Sequence, residues 1–467
     1  MKTTNLLSRW VHECLSTGAR RVLFCAVLGG AALAMIGFGT RGHGDFVAHE
    51  WGTFTSVQGG DGALLDWRPL ETSRLPKFVY DWTHPGLNRR QGGQMPMQKQ
   101  ALLTLQRMET PVIYFYSDEA QTVDVSVDFP KGLITEWYPQ AAQIGPSFAP
   151  TRPLLLKLDQ YAHKAGVKPG FTFASWFKNP ATPQSRAVWA NIEIVGAKES
   201  AGLAHSLPLD RSGSHYFAAR ATDANLLSVS SLVATNPLQE NEKFIFYRGV
   251  GNFPTPLRVT MNAQSEVTIS NTGNDPLAHL FVLGLENGKG KFVQIDRLGV
   301  RETRTLPVDA REYSESTGQL SAHLGQQMAE ALVSEGLYRR EATAMINTWK
   351  DSWFAEDGLR VLYVLPRAWT DQTLPLKLNP APRELVRVMV GRAEVLTPAL
   401  ERQLASDLAR ASGGDAAAQA HAVAEFKKLG RFAEPALRFA TRGSAGGVNQ
   451  TGWALLQASA RAVSEWE

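Results

Sequence analysis

Between residues 110 and 298 the chain returns repeatedly to one short phrase: a few β-branched and aromatic residues, closed off by Gly, Pro, Asn or Asp. "TPVIYFYS" (110–117), "AVWANIEIV" (187–195), "KFIFYRG" (243–249), "EVTISN" (266–271) and "AHLFVLGLE" (278–286) are of this kind. In "TVDVSVDF" (122–129), Val123, Val125 and Val127 alternate with Asp124, Ser126 and Asp128. Successive side chains of a strand point to opposite faces, so this is a strand with one buried and one wet face. "NGKG" (287–290) is a hairpin turn, because Asn-Gly tolerates the positive φ that the tightest turns require. Many short strands with few helices between them imply antiparallel sheets. We therefore expect an α+β chain: a mainly antiparallel, β-sandwich-like body followed by a C-terminal helical region.

The period changes near residue 314. Ser316 and Gln319 can form a capping box, and Leu320, Leu324, Met328 and Leu332 then recur every four residues along one helix face. A second helix carries Ala342, Met345, Ile346, Trp349 and Trp353. "LRVLYVLP" (359–366) is apolar on both faces and reads as a buried strand. Beyond it, Thr397-Pro398 is an N-cap followed by proline at the first helical position, and Gly413-Gly414 breaks the chain before a capping Asp415. The organisation expected is a leader over 1–44, a β-rich domain over 45–312, a helix pair with a buried strand over 313–382, and a wholly helical segment over 383–467. "LGRFAEPALRFA" (429–440) resembles one HEAT-type repeat, too few to build a solenoid.

The leader sets the expected location. Arg20-Arg21 precede an uncharged run from Val22 to Thr40, the pattern of a secretory signal peptide. An uncleaved single N-terminal membrane anchor is the alternative. Either gives an exported chain, periplasmic or membrane-anchored facing the periplasm. Five of the 48 basic residues (Lys2, Arg9, Arg20, Arg21, Arg41) and one of the 44 acidic residues (Glu13) lie in the leader. The body is therefore formally neutral and has no electrostatic footprint for nucleic acid. Both cysteines, Cys14 and Cys25, are also in the leader. The body thus has no disulfide, thiolate metal ligand or cysteine nucleophile.

Candidate site residues centre on "FVAHEWGTFTSVQGGDG" (46–62). If 46–57 is a regular strand, His49, Trp51, Thr53 and Thr55 share one face, and Glu50 and Phe54 the other. His49 and Glu50 can then act together only if the strand bends, and Gly52 is where a bulge fits. Arg248, in "FYRGVGNF", suits a carboxylate or phosphate ligand, or an ion pair with Glu50 or Asp124. Its Gly-x-Gly lacks the spacing of a dinucleotide loop. No zinc signature is present, so no cofactor is expected. A metal would need distant histidines: His49 and His279 first, with His84 and His215 further choices. Trp51, Trp67, Tyr80 and Trp82, interleaved with Asp66 and Asp81, could line a sugar-binding cleft if exposed.

"VAHEWGTFTSV", "ETPVIYFY" and "FYRGVGNF" together resemble an uncharacterised family of exported bacterial proteins that open with an HEWGTFT segment. The resemblance implies an envelope location and a shared β-rich body, and no activity. The binding candidates are thus His49, Glu50, Trp51 and Arg248. The expected function is that of an exported cell-envelope binding or interaction protein, with an envelope protein or a glycan as partner. The alternative is a carbohydrate-directed or metal-assisted hydrolase with a site near His49, Glu50 and Arg248. The residues leave open whether the chain is an enzyme.

Overall fold

The computed structural model describes residues 44–70, 75–81, 102–145, 171–172, 185–210, 213–231, 238–444 and 446–464. The leader, with its signal-peptide and anchor readings, lies outside these residues, as do Trp82 and His84. No helix among the described residues is long and apolar enough to cross a membrane.

From Asp45 onward the chain is one compact unit. Its strands are β1 (Gly44–Gly59), β2 (Gln106–Tyr116), β3 (Gln121–Phe129), β4 (Gly132–Tyr138), β5 (Ser185–Ile194), β6 (Leu227–Ser231), β7 (Leu238–Glu242), β8 (Ile245–Gly251), β9 (Leu257–Met261), β10 (Glu266–Asn271), β11 (Leu277–Glu286), β12 (Lys289–Leu298), β13 (Thr303–Pro307), β14 (Gly358–Val364), β15 (Leu376–Asn379) and β16 (Pro382–Leu396). Its main helices are α1 (Thr317–Ser334), α2 (Arg339–Lys350), α3 (Pro398–Ser412), α4 (Ala416–Leu429), α5 (Ala433–Ala440) and α6 (Gly446–Ser464). A π-helical turn, Asp351–Ala355, continues α2.

The main sheet runs β12-β11-β14-β16-β1-β2-β8-β4, with two-residue strands at its margins. A second sheet runs β7-β6-β5-β3-β15, and β9-β10-β13 form a third. The longer ladders are all antiparallel. The alternating valines of β3, with Trp189 and Ile192 of β5, pack against Phe46, Ala48, Phe54, Met108 and Ile113 of the main sheet. That is the sandwich core, and the fold is α+β with large antiparallel sheets and C-terminal helices.

The opposite face of the main sheet carries two separate apolar clusters. In one, Trp51, Tyr114, Phe246 and Phe281 meet Leu320, Leu324, Met328 and Leu332 of α1 and Met345 of α2. In the other, Val57, Trp67 and Leu396 meet α3 to α6. The capping box of Ser316 and Gln319 and the Thr397 cap of α3 are in place. So are the Asp415 cap of α4 and the Asn287-Gly288 turn, both of whose residues have positive φ.

Residues 383–396 are not helical. They form most of β16, which sits between β14 and β1 near the centre of the main sheet. The physical reason is visible in "VRVMVGRAEV": Val386, Val388 and Val390 alternate with Arg387 and Met389, a strand pattern whose charged members are buried and paired rather than wet.

Candidate functional site

His49 and Glu50 point to opposite faces of β1, as strand alternation requires. His49 Nδ1 meets Glu341 Oε2 at 2.7 Å, and its ring lies 4.4 Å from that of Tyr338. The same Glu341 accepts from Tyr116 Oη at 2.7 Å and from the Tyr338 backbone N–H at 2.7 Å. This group fastens the first turn of α2 to the sheet. Glu50 faces the sandwich core, where it accepts from Tyr247 Oη and from Arg387 Nε. Neither residue lies at a site shared with the other. Arg248 pairs with neither Glu50 nor Asp124 but with Glu136 of β4, at 2.9 Å. Asp124 instead accepts from the Asn191 backbone N–H in the second sheet.

The register does shift at Gly52. Trp51 faces Val112 and Thr53 faces Glu109, so the extra residue belongs to β2, around Thr110 and Pro111, rather than to β1. Thr110 has φ 48°. A Cβ on Gly52 would come within 2.9 Å of Pro111 Cα, so glycine is what lets the bulged strand approach.

Trp51 and Trp67 are fully buried, in different apolar clusters, so they do not line an exposed sugar cleft. His279 bonds Ser334 and pairs with Glu335 at the end of α1. Its strand, β11, is three strand spacings, about 14 Å, from β1, so His279 and His49 share no ligand. Among the described residues no three His, Cys, Asp or Glu side chains converge as a metal site needs.

What the structure does bring together is a belt of buried polar side chains between the two apolar clusters. Thr53 and Thr55 of β1 stand opposite Glu109 and Arg107 of β2. Arg248 and Glu136 extend the row onto β8 and β4. Above the row lie the π turn and the segment before α5. Arg431 donates to Glu109 at 2.7 Å and to Ser352 Oγ at 2.9 Å. Arg392 of β16 donates to the same Ser352 Oγ at 2.6 Å and to Glu356 and Glu394, both at 2.7 Å. Arg360 of β14 shares Glu394 and takes the Trp353 carbonyl. The Phe432 ring centroid lies 5.0 Å from the Arg392 guanidinium carbon and 4.9 Å from that of Arg431. The wider π turn presents Ser352 and the Trp353 carbonyl to these arginines, a form of helix irregularity that recurs at functional sites. The Trp353 ring lies 6.3 Å from Trp349, and Trp349 lies 5.0 Å from His215.

Many side-chain atoms of the belt are buried without a hydrogen-bond partner among the described residues: Thr53, Thr55 and Thr110 Oγ1, Glu109 Oε2, Arg107 and Arg431 Nε, His215 Nε2, and the Trp349 and Trp353 indole N–H groups. Sequence reasoning singled out Arg248 here, named His215 only as a distant metal ligand and placed Thr53 and Thr55 on the His49 face without a role; it missed Arg107, Glu109, Glu136, Ser352, Arg392 and Arg431. The signal available was a set of polar residues at inward-facing positions of strands that are otherwise apolar.

Charge in the belt is shifted accordingly. Burial lowers the Arg107 pKa to about 9, with Glu109 opposing and Arg248 and Arg431 adding to the shift. Burial alone would raise Glu109, but Arg431, Arg107 and Arg392 together bring it to about 2. Burial, then the field of Arg248, lowers His215 from 6.5 to about 4. The folded protein therefore keeps His215 neutral while the unfolded chain protonates it near pH 6.5. Between pH 6.5 and pH 4 the unfolded state holds more protons, so stability is fully present above pH 6.5 and falls as the pH drops through that window. Since the ring retains some solvent contact, the loss is about 2 kcal/mol rather than the full linkage value. Urea midpoints at pH 7 and pH 4.5 should show this drop in the wild type and a flatter one in His215→Asn.

No family model matches the sequence, and no curated protein matches it. Among solved structures the chain is similar to the Mu homology domain of Fcho1 from Danio rerio with bound Eps15 peptide. The match has 7% identity and a TM-score of 0.26, over 76% of this chain and 98% of that one. A likeness at that level carries no argument about fold or function.

Proposed function

We propose that the chain is an exported binding protein of the cell envelope and that it holds its ligand at the polar belt between β1, β2, β8 and the π turn. The observation that carries the reading is the concentration of buried, unpartnered donors and acceptors at this one place. Each such group costs about 1–3 kcal/mol when left unsatisfied. Together they would offset most of the stability of an ordinary domain, and a ligand that supplies their partners removes that cost. Export is supported by the basic flank and apolar run of residues 20–40. The protein would then be periplasmic, or anchored by its leader and facing the periplasm, and its partner an envelope protein or an envelope glycan or metabolite. A hydrolase would need residues other than His49, Glu50 and Arg248, because these three do not meet.

The test has two parts. A C-terminal alkaline phosphatase fusion should be active, and an inactive fusion would sink the export half. A thermal-shift screen of small carboxylates, phosphates and sugars on the full-length protein should return stabilising compounds. Thr53→Val/Thr55→Val should lose the shift and His49→Gln should keep it. A screen with no hit, or a shift that survives the double variant, would overturn the belt as the binding place.

A further inference from the structure

Resting on that reading, we infer that the ligand presents an anionic oxygen group, a carboxylate or a phosphate, to Arg107 and Arg431. The unpartnered atoms of the belt are unequal in kind. Arg431 Nε and the indole N–H groups of Trp349 and Trp353 can only donate, as can Arg107 Nε, whose one contact is the long 3.4 Å ion pair to Glu109 Oε1; Glu109 Oε2 can only accept. Threonine hydroxyls and a neutral imidazole serve either way. What the belt lacks is acceptors.

Arg107 shows the imbalance most sharply. Its side chain is 6% exposed, and its ion pair is with Glu109 Oε1 at 3.4 Å. That oxygen already accepts from Arg431 at 2.7 Å, so one carboxylate faces two guanidinium groups. Arg248 adds a third cation, matched by Glu136 at 2.9 Å. At this end of the belt Arg107, Arg248 and Arg431 thus stand against Glu109 and Glu136, with Asp81 adding its field to Arg248 from the sheet margin. His215 adds no charge near neutral pH. A guanidinium fork matches two oxygens of a carboxylate or phosphate, and in a desolvated site such a bond is about twice as strong as a neutral one. Arg431 is 14% exposed and His215 and Ser352 are part-exposed, so the belt meets solvent at these residues.

The experiment is calorimetric titration of the full-length protein with inorganic phosphate, succinate and, as the neutral control, glucose. We expect saturable binding of phosphate or succinate, and which of the two binds separates a phosphate from a carboxylate ligand. Arg107→Gln should weaken binding at least ~10-fold, about 1.4 kcal/mol. Trp353→Phe, which deletes one donor and keeps the ring, should weaken it about 3-fold, and it serves if Arg107→Gln does not fold. Glu109→Gln should tighten binding, a sign that a merely structural role does not produce. The inference is overturned if neither anion binds, if Arg107→Gln or Trp353→Phe leaves Kd unchanged, or if Glu109→Gln weakens binding. Binding of glucose without either anion would overturn the anionic ligand and leave the belt standing as a binding place. Binding of nothing, with no hit in the wider screen, would remove both.

Discussion

Gly249→Ala should cost the protein at least ~3 kcal/mol, seen as a large fall in the guanidinium midpoint or as loss of soluble protein. A Cβ at this position would lie 2.3 Å from the carbonyl oxygen of Leu133 and 3.0 Å from its carbonyl carbon, both backbone atoms of the neighbouring strand. Flexible side chains can swing away from such a contact, but a strand in the middle of a ladder cannot. Overpacking usually costs about 1–3 kcal/mol, and more when backbone must move. Here movement would also disturb the register shift between Arg248 and Gly249, which sets Arg248 opposite Glu136. The Gly-x-Gly of residues 249–251 is thereby explained without a phosphate loop. Gly249 admits β4, and Gly251 leaves room for the Phe253 ring, whose nearest carbon a Cβ would meet at 2.3 Å. Gly318→Ala is the control, since nothing lies within 4 Å of its Cβ direction and helix propensity favours alanine there. A Gly249→Ala variant within 1 kcal/mol of wild type would refute the close approach.

How much of this was legible in the sequence depends on how local each feature is. The alternation of β3, the β11–β12 hairpin and the caps of α1 and α3 are short-range consequences of residue type, and they read directly. The irregularity at Gly52 read only in part, because the extra residue lies on β2, around Thr110 and Pro111, and not on β1. The face assignment of β1 also read correctly, because a period of two separates His49 from Glu50 whatever surrounds them. β16 did not, although Val386, Val388 and Val390 alternate. Its Arg387, Arg392 and Glu394 look like solvent-facing charges until their partners are known, and those partners lie far away in sequence. Glu50 is 337 residues from Arg387. The belt is harder still. Arg431 reaches Glu109 across 322 residues, Arg392 reaches Ser352 across 40, and no spacing motif encodes either. Trp51 was misjudged for a related reason: an aromatic beside carboxylates can line a cleft or fill a core, and only the arrival of α1 and α2 on that face decides.

Glu50→Ala should destabilise the protein by about 4 kcal/mol, the expectation when one partner is deleted from a fully buried ion pair. Glu50 is fully buried and Arg387 nearly so. The carboxylate joins β1 to Tyr247 of β8 and to Arg387 of β16. Arg387 has further bonds to Asp371 Oδ1 and the Leu374 carbonyl, both at 2.7 Å. These hold the guanidinium in place but leave it under-neutralised once Glu50 is gone, because Asp371 is half-exposed and shared with Arg367. The penalty is therefore that of a stranded charge rather than the net worth of the pair. Removing both charges with Glu50→Leu/Arg387→Met should accordingly recover about half of the loss or more. A double-mutant cycle from urea unfolding measures this, and additive single losses would refute the coupling. The pair faces the sandwich core, whereas the belt lies on the other side of the sheet. Any variant at Glu50 that still folds should thus bind its anion with unchanged Kd, while Thr53→Val/Thr55→Val, three and five residues along the same strand, should not. That contrast within "HEWGTFT" would separate the face that packs the sandwich core from the face proposed to bind the anion.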